Sequence, residues 1–282
     1  LDKIPKWFIG CDAMYEQSDT VLFGAPFDST ASFRPGSRFA PRHMREDSCG
    51  LETYSPYQDR DLENTSIFDA GDLELCIGDT RTALAQIEGF VSQLLHEKKR
   101  PVMLGGEHLV SLGAIRAMSK QYHDLHIIHF DAHADLRDSY LGTELSHATV
   151  IRRVWDILGD GRIYQFGIRS GDRGEFFWAE NRVHTQKFNF NGLEDTVNAL
   201  RGKPIYFTLD LDVLDPSCFP GTGTPEAGGV SFSELLDAVL LLKPLNIVGF
   251  DMVELSPPLD HSGVSTATAC KLLRELLLLG SV

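Results

Sequence analysis

Short apolar runs alternate with amphipathic stretches along most of this chain, and that alternation narrows the fold to very few choices. Runs with strand character cover residues 20–26, 66–72, 101–106, 125–133, 162–169, 204–212 and 246–254. Stretches with helical spacing cover 79–97, 110–121, 149–158, 231–242 and 265–279. Strand, helix, strand in repetition means parallel pairing, because a parallel crossover needs the length of a helix. Nearly continuous apolar character, as in PVMLGG and LHIIHF, means strands buried on both faces. The expectation is an α/β protein with three α/β/α layers around a central, mostly parallel sheet. At 282 residues this is read as one domain, 1–282, since no linker, low-complexity tract or solenoid repeat divides it. Ser231, with Glu234 three residues on, reads as a capping box that opens a helix. Residues 27–58 are irregular, rich in Arg, Pro, Ser and Gly, and long for a loop, which marks them for function.

Charge and cysteine usage exclude several classes of partner. The formal net charge is -14, from 40 acidic and 26 basic residues, which argues against nucleic acid. It is compatible with a small cationic substrate, although most acidic proteins are simply soluble ones. Cys11, Cys49, Cys76, Cys218 and Cys270 are scattered and form no CxxC pair. That pattern fits reduced thiols in a cytoplasmic protein better than a disulfide frame or a zinc ribbon. The first residues, LDKIPKWFIG, lack the apolar run of a signal peptide. The longest apolar stretches, such as LLRELLLLG, are too short to span a bilayer, so no membrane partner is expected.

Polar residues gather at the C-terminal ends of the strand-like runs, where open α/β sheets carry their sites. The segment from His129 to Asp135 reads HFDAHAD. Strand alternation continued through it puts Asp131, His133 and Asp135 on one face. The segment TLDLDVLD, from Thr208, does the same for Asp210 and Asp212. A third segment, GGEH from Gly105, ends another run, and its glycines let the backbone approach a site closely while His108 follows. Crowded carboxylates and imidazoles are costly unless a cation neutralises them. The set His108, Asp131, His133, Asp135, Asp210 and Asp212 balances two divalent ions. Nitrogen and oxygen donors without thiolate suit Mn, Fe, Co, Ni or Zn, and the carboxylate excess points to two Mn2+. Each fragment alone is weak: His96, His123 and His184 belong to surface or core, and one Asp-x-Asp is often a loop cap. Three such segments, all at strand ends, carry the inference.

Taken together, these motifs resemble the ureohydrolases, the family of arginase, agmatinase and their relatives. GAPFDS at 24, RPGSRFAP at 34, GGEH at 105, DAHAD at 131, SHAT at 146, DLDVLDPSCFPGTGTPEAGG at 210 and DMVELSPP at 251 span almost the whole chain. Residues 136–153 and 164–173 look most like the bacterial agmatinase branch, and Glu107 and Leu109 stand where arginases usually show Asp and Ser. The resemblance implies that His108 and Asp135 bind one Mn2+, His133 and Asp212 the other, and Asp131 and Asp210 bridge both. It implies that Glu254 binds the guanidinium, that His147 lies near the leaving group, and that the chain forms a homo-oligomer, trimer or hexamer.

The chemistry of a guanidine agrees with that reading. Its central carbon is a poor electrophile and needs a strong nucleophile at neutral pH, which two metals sharing a water supply by lowering its pKa. A carboxylate orients the planar cation, Asp135 carries a proton to the departing amine, and His147 exchanges protons with solvent. The expected reaction is hydrolysis of agmatine to putrescine and urea. Asp138 and Glu144 favour a cationic substrate tail there, while Arg137 favours the opposite. Guanidinobutyrate, arginine and formimidoylglutamate are the nearest alternatives. A dimetal phosphoesterase is disfavoured because GGEH precedes DAHAD and no Asn-His pair appears; an inactive regulatory relative is disfavoured because every expected ligand is present.

Overall fold

The computed structural model describes residues 7–279. The chain opens with strand β1 (Thr20–Ala25), helix α1 (Ala40–Asp47), a small hairpin of β2 (Tyr54–Ser55) and β3 (Arg60–Asp61), then β4 (Ile67–Asp72). It continues through α2 (Thr80–His96), β5 (Arg100–Gly105), α3 (Val110–Gln121), β6 (His126–Phe130), α4 (Val150–Leu158) and β7 (Ile163–Ile168). Next come α5 (Arg173–Ala179), β8 (His184–Lys187), α6 (Leu193–Ala199), β9 (Pro204–Asp210), α7 (Phe232–Leu241), β10 (Asn246–Val253) and α8 (Val264–Leu279).

Eight strands form one sheet in the order β4-β1-β5-β10-β9-β6-β7-β8. All its pairings are parallel, as the strand–helix alternation requires. Along β1 the side chains alternate between two cores: Leu22 joins one, while Val21, Phe23 and Ala25 join the other. Helices α1, α6, α7 and α8 cover the first face and α2, α3, α4 and α5 the second. The three-layer expectation therefore holds, and no helix among the described residues is long and apolar enough to cross a membrane.

Element ends carry the local lessons. The capping box at Ser231 is present, with its hydroxyl accepting from the Glu234 amide and the Glu234 carboxylate accepting from the Ser231 amide. Two expected strands stop early: β6 ends at Phe130 and β9 at Asp210. Strand β8 (HTQK) has no apolar signal because it is a polar edge strand, and α5 and α6 are each seven residues long, too short for a clear period. Residues 27–58 are more ordered than expected, since they include α1 and β2. Gly106 follows β5 where an added Cβ would lie 1.9 Å from the Phe27 carbonyl oxygen, so only glycine fits this close approach. The chain builds outward from β1, then crosses to β6 and leaves a gap that β9 and β10 fill. The C-terminal ends of β5, β10, β9 and β6 meet at this reversal.

Candidate metal centre

His108 sits in the turn between β5 and α3 and is buried. Its Nδ1 lies 3.1 Å from Asp131 Oδ2, 3.2 Å from Asp135 Oδ2 and 3.3 Å from Asp210 Oδ2. Its Nε2 lies 2.9 Å from Thr208 Oγ1. The Thr208 hydroxyl donates its one proton to Asp251 Oδ1 at 2.6 Å, so it accepts from His108 Nε2–H. Nδ1 is thereby the ring nitrogen that faces the carboxylates.

Asp131 and its neighbours reach the same point by a different route from the one expected. They lie beyond the end of β6, so the pleat does not put Asp131, His133 and Asp135 on one face. An irregular turn brings them together instead: the Asp131 Oδ1 accepts from the His133 amide at 2.6 Å, and Asp135 takes a left-handed backbone, φ 53°. Asp210 ends β9, and Asp212 lies in a single 3-10 turn, where its amide donates to Asp210 Oδ1 at 2.9 Å. Strand alternation therefore does not align these two either; an Asx turn does. His133 Nδ1 lies 3.0 Å from Asp212 Oδ2 and 3.5 Å from Asp131 Oδ1.

All six expected ligands converge. No Lys or Arg forms an ion pair with these four aspartates among the described residues. The electrostatics register the crowding. Burial, aggravated by Asp131, lifts Asp135 to about 7. Burial with Asp212 and Asp131 as like-charged neighbours drives Asp210 well above the usual carboxylate range. Burial depresses the ring of His108, but hydrogen bonds to Asp131, Asp135 and Asp210 outweigh it and carry the pKa well above the ordinary value. Buried imidazole and carboxylate donors that repel one another fit divalent cations of the Mn or Zn type. Two triplets sharing Asp131 are compact enough to hold an ion: His108, His129 and Asp131, and Asp131, His133 and Asp212.

A cavity of about 290 Å³ opens onto this cluster, lined by His108, His133, Asp135, Asp210 and Asp212 with Glu254 and His147. Glu254 follows β10 directly, with φ 66°. Its Oε1 accepts from the His108 amide at 2.8 Å. Burial, with Glu107 nearby, raises its pKa well above the usual value. His147 begins a 3-10 turn capped by Ser146. Its Nδ1 donates to the Thr30 carbonyl at 2.9 Å, which leaves Nε2 as an acceptor 3.1 Å from Ser32 Oγ. Burial keeps the ring below its ordinary pKa. Thr30 also donates through Oγ1 to Glu107 at 2.6 Å, so the start of the 27–58 segment positions His147.

One expected residue falls elsewhere. Asp138 is 73% exposed, pairs with Arg153 at 2.8 Å and does not line the cavity. Sequence reasoning missed His129, Gln165, Thr208 and Asp251, all fully buried. The signal was there: each is a polar residue inside an otherwise apolar strand.

The Arginase family matches residues 18–279. The agmatinase of Bacillus anthracis is 50% identical over 277 residues, covering 97% of this chain and 96% of that protein. The human mitochondrial guanidino acid hydrolase is 34% identical, covering 93% and 78%. The crystal structure of the agmatine ureohydrolase of Thermoplasma volcanium superposes with a TM-score of 0.89 at 36% identity, covering 98% and 94%.

Proposed function

The chain belongs to the arginase family and is a hydrolase of amidino substrates, and from that premise we propose that it hydrolyses agmatine to putrescine and urea with two Mn2+ per subunit. The observation that carries this reading is the convergence of His108, Asp131, His133, Asp135, Asp210 and Asp212 at the base of one cavity. His108 and Asp135 would hold one ion, His133 and Asp212 the other, and Asp131 and Asp210 would contribute to both. When bound, the ions supply the Lewis acidity that ionises water near neutral pH.

The protein's own groups do the rest. Glu254, fixed by the His108 amide, receives the guanidinium in a charge-assisted fork and orients its carbon. Asp135 takes the proton released on attack and delivers it to the amine as the C–N bond breaks. His147, with Nδ1 committed to Thr30, offers the Nε2 lone pair to the cavity and exchanges protons with solvent. Asp138 has no part in this reading, because it lies outside the cavity. Arg137 lines the cavity and supports guanidino acids as the second reading. Its charge is offset by Asp172 at 3.8 Å and Glu175 at 3.5 Å, which supports the cationic tail of agmatine.

We read residues 1–282 as one domain of a cytoplasmic homo-oligomer, trimer or hexamer, with no membrane or nucleic-acid partner. The test is urea release after Mn2+ loading, with agmatine, arginine and guanidinobutyrate side by side. A strong preference for agmatine supports the reading, and a preference for either competitor replaces the substrate. The Glu254→Gln variant keeps both ions and loses about 10²–10³-fold in kcat; a near-normal rate removes Glu254 from its role.

A further inference from the structure

Gln165, His129, Thr208 and Asp251 are paired in register across β7, β6, β9 and β10, and form a buried polar row beneath the metal centre. We propose that Gln165 sets the polarity of the His129 ring, so that His129 serves the centre as a hydrogen-bond donor to Asp131 and not as a metal ligand. The inference rests on the dinuclear reading above.

Proton accounting supports it. Distance alone admits His129 as a ligand, since donor atoms of His108, His129 and Asp131 lie within 4.8 Å of one another. Gln165 Nε2 has two protons and two partners, the Ala134 carbonyl at 2.7 Å and His129 Nδ1 at 3.0 Å. Its Oε1 accepts from Thr185 Oγ1 at 3.1 Å. Flipping the amide would set its oxygen against the Ala134 carbonyl, so the orientation is fixed. His129 Nδ1 is then an acceptor, and the ring proton resides on Nε2, 2.8 Å from Asp131 Oδ2.

His108 is locked the opposite way. Thr208, committed to Asp251, takes the His108 Nε2 proton and leaves Nδ1 as the nitrogen facing Asp131, Asp135 and Asp210, where an ion would take the place of its proton. Two histidines that approach the same Asp131 oxygen thus play different parts. One offers a lone pair to an ion, and the other holds the carboxylate in the orientation an ion needs.

Gln165→Glu tests the row, and the ring tautomer tests the role of His129. A carboxylate at 165 accepts Nδ1–H and also sets an oxygen against the Ala134 carbonyl. With the neutral Nε2–H arrangement toward Asp131 lost, Mn2+ binding weakens by about 10–100-fold. The experiment titrates the full metal-free chain with Mn2+, following free Mn2+ by EPR, for wild type and Gln165→Glu. Ring 15N NMR of the metal-free wild type reads the His129 tautomer directly and does not depend on the variant folding. The expected results are two ions per wild-type chain, weaker binding in the variant, and a His129 proton on Nε2. Tighter or unchanged binding in the variant, or a proton on Nδ1, overturns the inference while leaving the dinuclear reading in place. A wild-type chain that takes up no Mn2+ overturns both.

Discussion

Asp69 and Asp72, from β4, lie against Arg45 of α1, whereas Asp131, Asp135, Asp210 and Asp212 lie against one another and two histidines. Arg45 Nε is 2.8 Å from Asp69 Oδ2, and its Nη1 pairs with Asp72. Asp69 also accepts from the Phe8 and Gly71 amides. That cluster carries a counter-charge inside the chain, so the buried Asp69 is compensated in the folded protein alone. The central cluster has no Lys or Arg partner among the described residues, and burial pushes Asp135 and Asp210 toward their protonated forms. Buried acid built for stability brings its own guanidinium; buried acid built for chemistry leaves that position to an ion.

The largest effect that would test this contrast is on the Arg45 side. Arg45→Met leaves Asp69 uncompensated and lowers stability by about 3–5 kcal/mol. Denaturant unfolding should show that loss, and it should be the same with and without Mn2+. Asp210→Asn should behave the other way. Its metal-free form is at least as stable as wild type, because folding no longer has to bury that carboxylate or protonate it. It forfeits most of the stabilisation that wild type gains from Mn2+, about 2.7 kcal/mol at a hundredfold excess over Kd. Equal Mn2+ responses in the two proteins would erase the distinction.

The smallest effect concerns a half-buried contrast to both clusters. Asp260 precedes α8, and although burial opposes it, hydrogen bonds from Ser262 and Ser265 bring its pKa from 3.8 to about 2. A depressed carboxylate stabilises above its unfolded pKa and loses that contribution as pH falls through the folded one. Asp260→Asn should therefore remove about 1 kcal/mol at neutral pH and flatten the acid limb between about pH 4 and 2. Unfolding midpoints measured across that range check it.

Much of this was legible in the sequence. The apolar runs located the central strands, and α3 spans the same residues that its spacing indicates. The proposed ligands were legible as residue types at strand ends, but the geometry that joins them was not. Period-2 reasoning assumed strands where the chain has already left the sheet, at Asp131 and Asp212. Left-handed backbones at Asp135 and Glu254 leave no mark in composition, because nothing but tertiary packing imposes them. Asp138 stood close in sequence to the site and was drawn away by Arg153. Gln165 and Asp251 are the reverse: distant in sequence, unremarked as polar residues in apolar strands, and brought beneath the centre by register alone.

Strand order also sets a schedule for biosynthesis. Among the described residues β10 is the last strand made, yet it lies between β5 and β9, and no other described strand joins those two. Until it inserts, the β4-β1-β5 piece and the β9-β6-β7-β8 piece share no ladder. His108 belongs to the first, and Asp131, His133, Asp135, Asp210 and Asp212 to the second. Pairing so remote in sequence is slow to form, and synthesis runs from the N-terminus. The nascent chain therefore carries its donors in two separate halves, and a cation can engage the full set only after the ribosome has delivered the centre of the sheet.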